Sequence, residues 1–163
     1  MDDQPEVTIE PNDVKAQGFA QEVVGDNIEF GPGLALSVTA DGSVTLERAA
    51  AVMVRGEEDI AITNSGAGAI VAGGDVELMN GGSQVLVAGG DVQITNGGAQ
   101  YVIAGDSVTA TKSFIAVAIT DEITLSEDSK VLLDTPRAIA FGVAFGAVFA
   151  FISILFGGKR RRK

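Results

Sequence analysis

Apolar residues fall in a fixed rhythm along this chain. Ile28, Val44, Ile60, Val76, Val92 and Val108 stand sixteen residues apart, and two positions further on come Phe30, Leu46, Ile62, Leu78, Ile94 and Ala110. Between the members of each pair lies Glu29, Thr45, Ala61, Glu77, Gln93 or Thr109. An apolar, mostly polar, apolar triplet predicts a strand with one face buried and the other wet. A second strand precedes these triplets, at Ala69-Ile70-Val71, Val85-Leu86-Val87, Tyr101-Val102-Ile103 and Val117-Ala118-Ile119. With the column Val38, Val54, Ile70, Leu86, Val102 assigned inward, Val71, Val85, Val87, Tyr101, Ile103, Val117 and Ile119 point out. The earlier equivalents are Ser37-Val38-Thr39 and Met53-Val54-Arg55, so this outer face turns apolar as the chain proceeds. A soluble monomer rarely exposes such a patch, and these seven residues are predicted to form an oligomer interface.

Turn residues keep the same period. Asn64, Asn80 and Asn96 recur at one corner, followed by Gly66, Gly81-Gly82 and Gly97-Gly98. Asp59, Asp75 and Asp91 recur at the other, the latter two after Gly73-Gly74 and Gly89-Gly90. Gly and Asn tolerate positive φ at such corners, and stacked Asn side chains are expected to bond along a ladder. The repeat predicts an all-β fold, a parallel β-solenoid of about seven 16-residue coils ending near Leu133, with a one-residue slip in the last coil at Ile123 and Leu125. At roughly 4.8 Å per coil the rod is on the order of 30 to 35 Å long. The expected boundaries are 1–21 for a polar lead-in, partly disordered, with Val7 to Ile9 as a capping strand, and 22–134 for the solenoid.

Beyond the repeat the pattern changes class. Thr135 suits an N-cap and Pro136 a first helical position. Ala138 to Gly157 then contains twenty residues without a charge, long enough as a helix to cross the roughly 30 Å core of a bilayer. One C-terminal transmembrane α-helix is therefore predicted over 135–158, followed by a basic tail at 159–163. Arg137 at one end and Lys159, Arg160, Arg161, Arg162 and Lys163 at the other are the expected membrane anchor, attracted to anionic headgroups. Ala138, Gly142, Gly146 and Ala150 recur every four residues, and Gly142 with Gly146 forms the GxxxG spacing of packed membrane helices.

Charge narrows the partners. All 22 acids and only six of the 11 basic residues lie at or before Arg137, leaving the head at −16. A nucleic-acid partner is not expected of so acidic a surface. The chain has neither Cys nor His, which removes disulfides, thiolate metal sites and the commonest catalytic base. Gly73-Gly74-Asp75 and Gly89-Gly90-Asp91 invite comparison with calcium-binding nonapeptide repeats, but their period is sixteen and corner turns account for them. Ser65 and Ser83 have no base to activate them. The reading is accordingly non-enzymatic, with no cofactor, no metal and no small-molecule substrate. The expected partners are a lipid bilayer and further copies of the chain.

The phrases VGDNIEF (Val24 to Phe30), GGDVEL, GGDVQI and AGDSVTA resemble the glycine-aspartate-aliphatic phrases of bactofilins, polymer-forming cytoskeletal β-helices found at bacterial membranes. The resemblance covers roughly residues 22 to 133, and it implies nucleotide-free assembly in a scaffold. This chain differs in its predicted span, its shorter coil and its apolar outer face. The expected function is a membrane-anchored structural protein that self-assembles through its solenoid face and its small-residue helix face. A surface-exposed binding module, adhesin or virion spike is the alternative. For orientation two rules disagree: the basic tail favours an external solenoid, and the want of an N-terminal signal pattern favours a cytoplasmic one, which is the reading adopted.

Overall fold

The computed structural model describes residues 8–9 and 13–134, with side chains from residue 13 onward. The strands are, in chain order, β1 (Thr8–Ile9), β2 (Asp13–Gly25), β3 (Asn27–Ala40), β4 (Val44–Glu47), β5 (Ala49–Gly56), β6 (Ile60–Thr63), β7 (Gly66–Ala72), β8 (Val76–Met79), β9 (Gly82–Ala88), β10 (Val92–Thr95), β11 (Gly98–Ala104), β12 (Ser107–Thr111), β13 (Phe114–Ile119), β14 (Glu122–Ser126) and β15 (Lys130–Leu133). Short strands pair in parallel with short strands one coil away, and long with long, so the chain winds as a parallel β-solenoid of about eight coils. Each interior coil advances sixteen residues, as in Val76↔Val92 and Leu86↔Val102.

The predicted inward columns form the core. Ile28, Val44, Ile60, Val76, Val92 and Val108 are buried, as are Val38, Val54, Ile70, Leu86 and Val102. Ala118 and Ile115 carry the packing into the seventh coil, and Ile123 and Val131 are half-buried against it. Stacking makes each apolar side chain lie on its equivalent above and below, a continuous contact that no single coil supplies.

The coil count is a correction: about eight, where about seven were expected. The added coil is β2, which pairs with β3 through Val14↔Ile28 and Val23↔Val38 and begins at Asp13, inside the segment expected to be a polar lead-in. It steps by fourteen residues at Asp13↔Asn27 and by fifteen at Gly18↔Gly33, with a bulge between Ala16 and Gly18, so a search at period sixteen passes over it. Strand β1 runs antiparallel to β2 and covers the outer edge of this coil at Val14 and Lys15. At the other end the slip is present, since Val108 pairs with Ile123, fifteen residues on. Ala138 to Gly157 and the basic tail lie outside the described residues. Among the described residues no helix is long and apolar enough to cross a membrane.

The corners correct the expected ladder. Arg48, Asn64, Asn80, Asn96 and Lys112 share one corner, all with φ between 50° and 52°. Their backbone N–H groups, as in Asn64 N to Met79 O at 2.9 Å, join successive coils. The side-chain ladder runs at the opposite corner instead. Asp59 Oδ1 accepts Asp75 N–H at 2.8 Å, Asp75 Oδ1 accepts Asp91 N–H at 2.8 Å, and Asp91 Oδ1 accepts both the N–H and the hydroxyl of Ser107. Asn27 does the same for Ser43. The glycines at these corners are explained by close approach, not by positive φ: a Cβ at Gly73, Gly89 or Gly105 would run into the carbonyl oxygen of the preceding coil.

Candidate assembly face

The burial pattern of a long strand positions its outer side chains. In β5 Ala49, Ala51, Val54 and Gly56 are buried while Ala50, Val52, Met53 and Arg55 are exposed, so two successive residues, Val52 and Met53, both face out. The same lapse recurs at Leu36 with Ser37, Gln84 with Val85 and Gln100 with Tyr101, and the pairing of coils skips Leu36, Val52, Gly68, Gln84, Gln100, Ala116 and Leu132. A strand that turns two neighbouring side chains to the same side has bent. In the second to sixth coils the inward residue just before the bend is small, Ala35, Ala51, Ala67, Ser83 and Ala99, all buried, and the seventh and eighth coils carry Ile115 and Val131 there.

The bend divides the outer surface of the long strands into two strips. The strip after it carries the column Ser37, Met53, Ala69, Val85, Tyr101, Val117, Leu133 and the column Thr39, Arg55, Val71, Val87, Ile103, Ile119. All seven residues predicted to be outward lie here. Val71, Val85, Tyr101, Ile103 and Ile119 are exposed, Tyr101 at 53%, whereas Val87 and Val117 are half-buried between neighbours of the adjoining coils. The strip before the bend carries Leu34, Ala50, Gly66, Gly82, Gly98, Phe114 and Lys130, with Leu36, Val52, Gly68, Gln84, Gln100, Ala116 and Leu132 beside them.

This second strip was not foreseen, and it changes the description of the face. Leu34, Leu36, Val52, Phe114 and Leu132 are exposed, Val52 and Leu132 each at 60%. Apolar exposure therefore runs from the first coil, at Phe19 and Val24, to the eighth, and from the second coil onward only the strip after the bend shows the expected passage from polar to apolar. The signal for the missed strip is the small-residue column at spacing sixteen, which marks where strict alternation fails.

The short strands present the opposite chemistry. Glu29, Thr45, Glu77 and Gln93 are exposed, and Ala61 and Thr109 half-buried. Lys15 meets Glu29 across two coils at 2.9 Å, and Lys112 meets Glu127 at 2.9 Å. Exposed pairs of this kind stabilise little, and their importance here is solubility.

Most of the residues weighed for chemistry make structural hydrogen bonds. Ser65 Oγ accepts Ala49 N–H at 2.9 Å and donates to Thr63 O at 2.8 Å. Ser83 Oγ is buried among alanines with no hydrogen-bond partner among the described residues. Asp75 and Asp91 hold backbone amides, as described above. Among the described residues no group of three or more acidic side chains is arranged to hold a metal ion.

No family model, curated protein or solved structure matches the chain.

Proposed function

We propose that this is a non-enzymatic scaffold: a β-solenoid anchored to a membrane by Ala138 to Gly157 and self-assembling through the outer face of its long strands. The observation that carries the reading is the contrast between the two outer surfaces. The short strands expose mostly carboxylates, amides and hydroxyls, with Met79 and Leu125 beside them, and the long strands expose Leu34, Val52, Met53, Tyr101, Ile103, Phe114, Ile119 and Leu132. A long strand of about seven residues at about 3.3 Å each, over eight coils at about 4.8 Å, gives a footprint of about 800 to 900 Å². That is the area each partner contributes to a specific protein–protein interface, roughly 800 Å², and contiguous exposed apolar side chains within it mark an interaction site. The basic residues Arg137 and Lys159 to Lys163 support the anchoring half of the reading through their attraction to anionic lipid.

The test is the mass of the full chain in mild detergent, with and without Val87→Glu together with Ile103→Glu. Two carboxylates on the apolar strip are expected to give folded, separate subunits where the wild type is an oligomer. A monomeric wild type refutes assembly through this face, and so does a double variant whose mass is unchanged.

A further inference from the structure

The order of residues along the strip after the bend says more than that it is apolar. Resting on the proposed self-assembly, we infer that two copies pair in parallel, each coil facing the same coil of its partner, about a two-fold axis that runs along the strip. Such an axis exchanges the two columns of the strip at each level. Ser37 then faces Thr39, Ala69 faces Val71, Val85 faces Val87, Tyr101 faces Ile103 and Val117 faces Ile119. From the second coil to the seventh every level but one joins like with like, and in the first coil exposed Glu22 faces exposed Val24. At the third coil Met53 faces Arg55, whose exposed side chain sits at the edge of the strip and keeps its guanidinium in water while its stem covers the thioether.

The antiparallel arrangement of the same strip pairs unlike chemistry. A two-fold axis across the strip at its centre keeps the columns and reverses the coils, so Ser37 and Thr39 meet Val117 and Ile119. Met53 and Arg55 meet Tyr101 and Ile103. The four large apolar side chains of the sixth and seventh coils, Tyr101, Ile103, Val117 and Ile119, would cover hydroxyls and a charge and leave those polar groups without water or partners. Parallel pairing buries the cluster against itself. It also brings the two chains to one end at Leu133, as anchoring of both in one bilayer requires, and that shared anchor raises the local concentration of a strip that is only part of the whole apolar face.

Because the chain contains no Cys, single cysteines report this arrangement directly. Ile119→Cys in the seventh coil and Thr39→Cys in the second are made in the full chain, co-expressed with different tags and treated in membranes with a short bismaleimide. The two levels are five coils apart, about 24 Å, beyond the linker. Parallel pairing gives cross-linked dimers of like tag for each variant and none of mixed tag. Mixed-tag dimers alone overturn the parallel arrangement and leave self-assembly standing. Absence of any dimer above that formed by Glu77→Cys, on the polar face, overturns both.

Discussion

Three carboxylates stacked at one corner, Asp59, Asp75 and Asp91, both join and repel one another, and the two effects separate by substitution at Asp75. Each Oδ1 accepts the backbone N–H of the next coil, at 2.8 Å for Asp59 and Asp75 and 3.0 Å for Asp91. The charges are one coil apart, about 4.8 Å, where two like charges in water repel by about 0.9 kcal/mol, or about 0.5 kcal/mol each after screening at physiological salt. Asp75 has two such neighbours. Asp75→Asn keeps the accepting oxygen and removes both repulsions, so it is expected to raise stability by about 1 kcal/mol. Asp75→Ala removes the repulsions and the bond together, and with a net hydrogen bond of about 1 kcal/mol it is expected to leave stability close to wild type. Asn27 already performs this role two coils before Asp59 in the same column, accepting from both the N–H and the hydroxyl of Ser43. The assay is urea unfolding of the full chain in detergent, followed by far-ultraviolet circular dichroism at low and high salt. The advantage of Asn over wild type should shrink as salt is added, and the gap of about 1 kcal/mol between Asn and Ala should remain. If Asn and Ala unfold together at every salt concentration, the side-chain ladder contributes nothing and the reasoning fails.

Two further predictions concern the interior and the corners. Ser83→Ala replaces the buried, unpartnered hydroxyl by the residue that Ala35, Ala51, Ala67 and Ala99 supply at the same level of other coils, and a gain of about 1 to 2 kcal/mol in the same unfolding assay is expected; a loss would mean the hydroxyl has a partner on folding. Gly89→Ala drives a methyl into the carbonyl oxygen of Gly73 and should cost about 2 kcal/mol or more, whereas Gly66→Ala, with nothing nearer than Gly82 O at 3.6 Å, should be neutral or gain a few tenths of a kcal/mol. Equal effects at the two glycines would remove close approach as the reason for glycine at these corners.

Much of this fold is legible in the sequence because burial and period coincide. Ile70, Leu86 and Val102 are apolar, sixteen apart and buried, so pattern alone places them. The first coil is illegible for the converse reason: Val14 and Val23 are buried, but the fourteen-residue step and the bulge break the period. The corners were assigned correctly as corners, yet which side chain reaches the next coil depends on the direction in which a corner throws it. Asn at φ near 50° contributes its backbone, while Asp at the opposite corner contributes its carboxylate. For the candidate face, alternation located Val71, Val85, Val87, Tyr101, Ile103, Val117 and Ile119, and it missed Leu34, Leu36 and Val52 because a bend at a small-residue column reverses the alternation before it.

The departures from sixteen residues sit at the two extremities, in the steps from the first coil to the second and from the seventh to the eighth. An interior coil is gripped on both sides by hydrogen bonds, a carboxylate ladder and a column of core side chains, so one inserted residue there would turn inward residues outward against two neighbours at once. Among the described residues a terminal coil stacks on only one other full coil. The rod can therefore lengthen or shorten only in whole turns, each adding about 4.8 Å of height and one more level of the same surface chemistry, while small errors in chain length are confined to its tips.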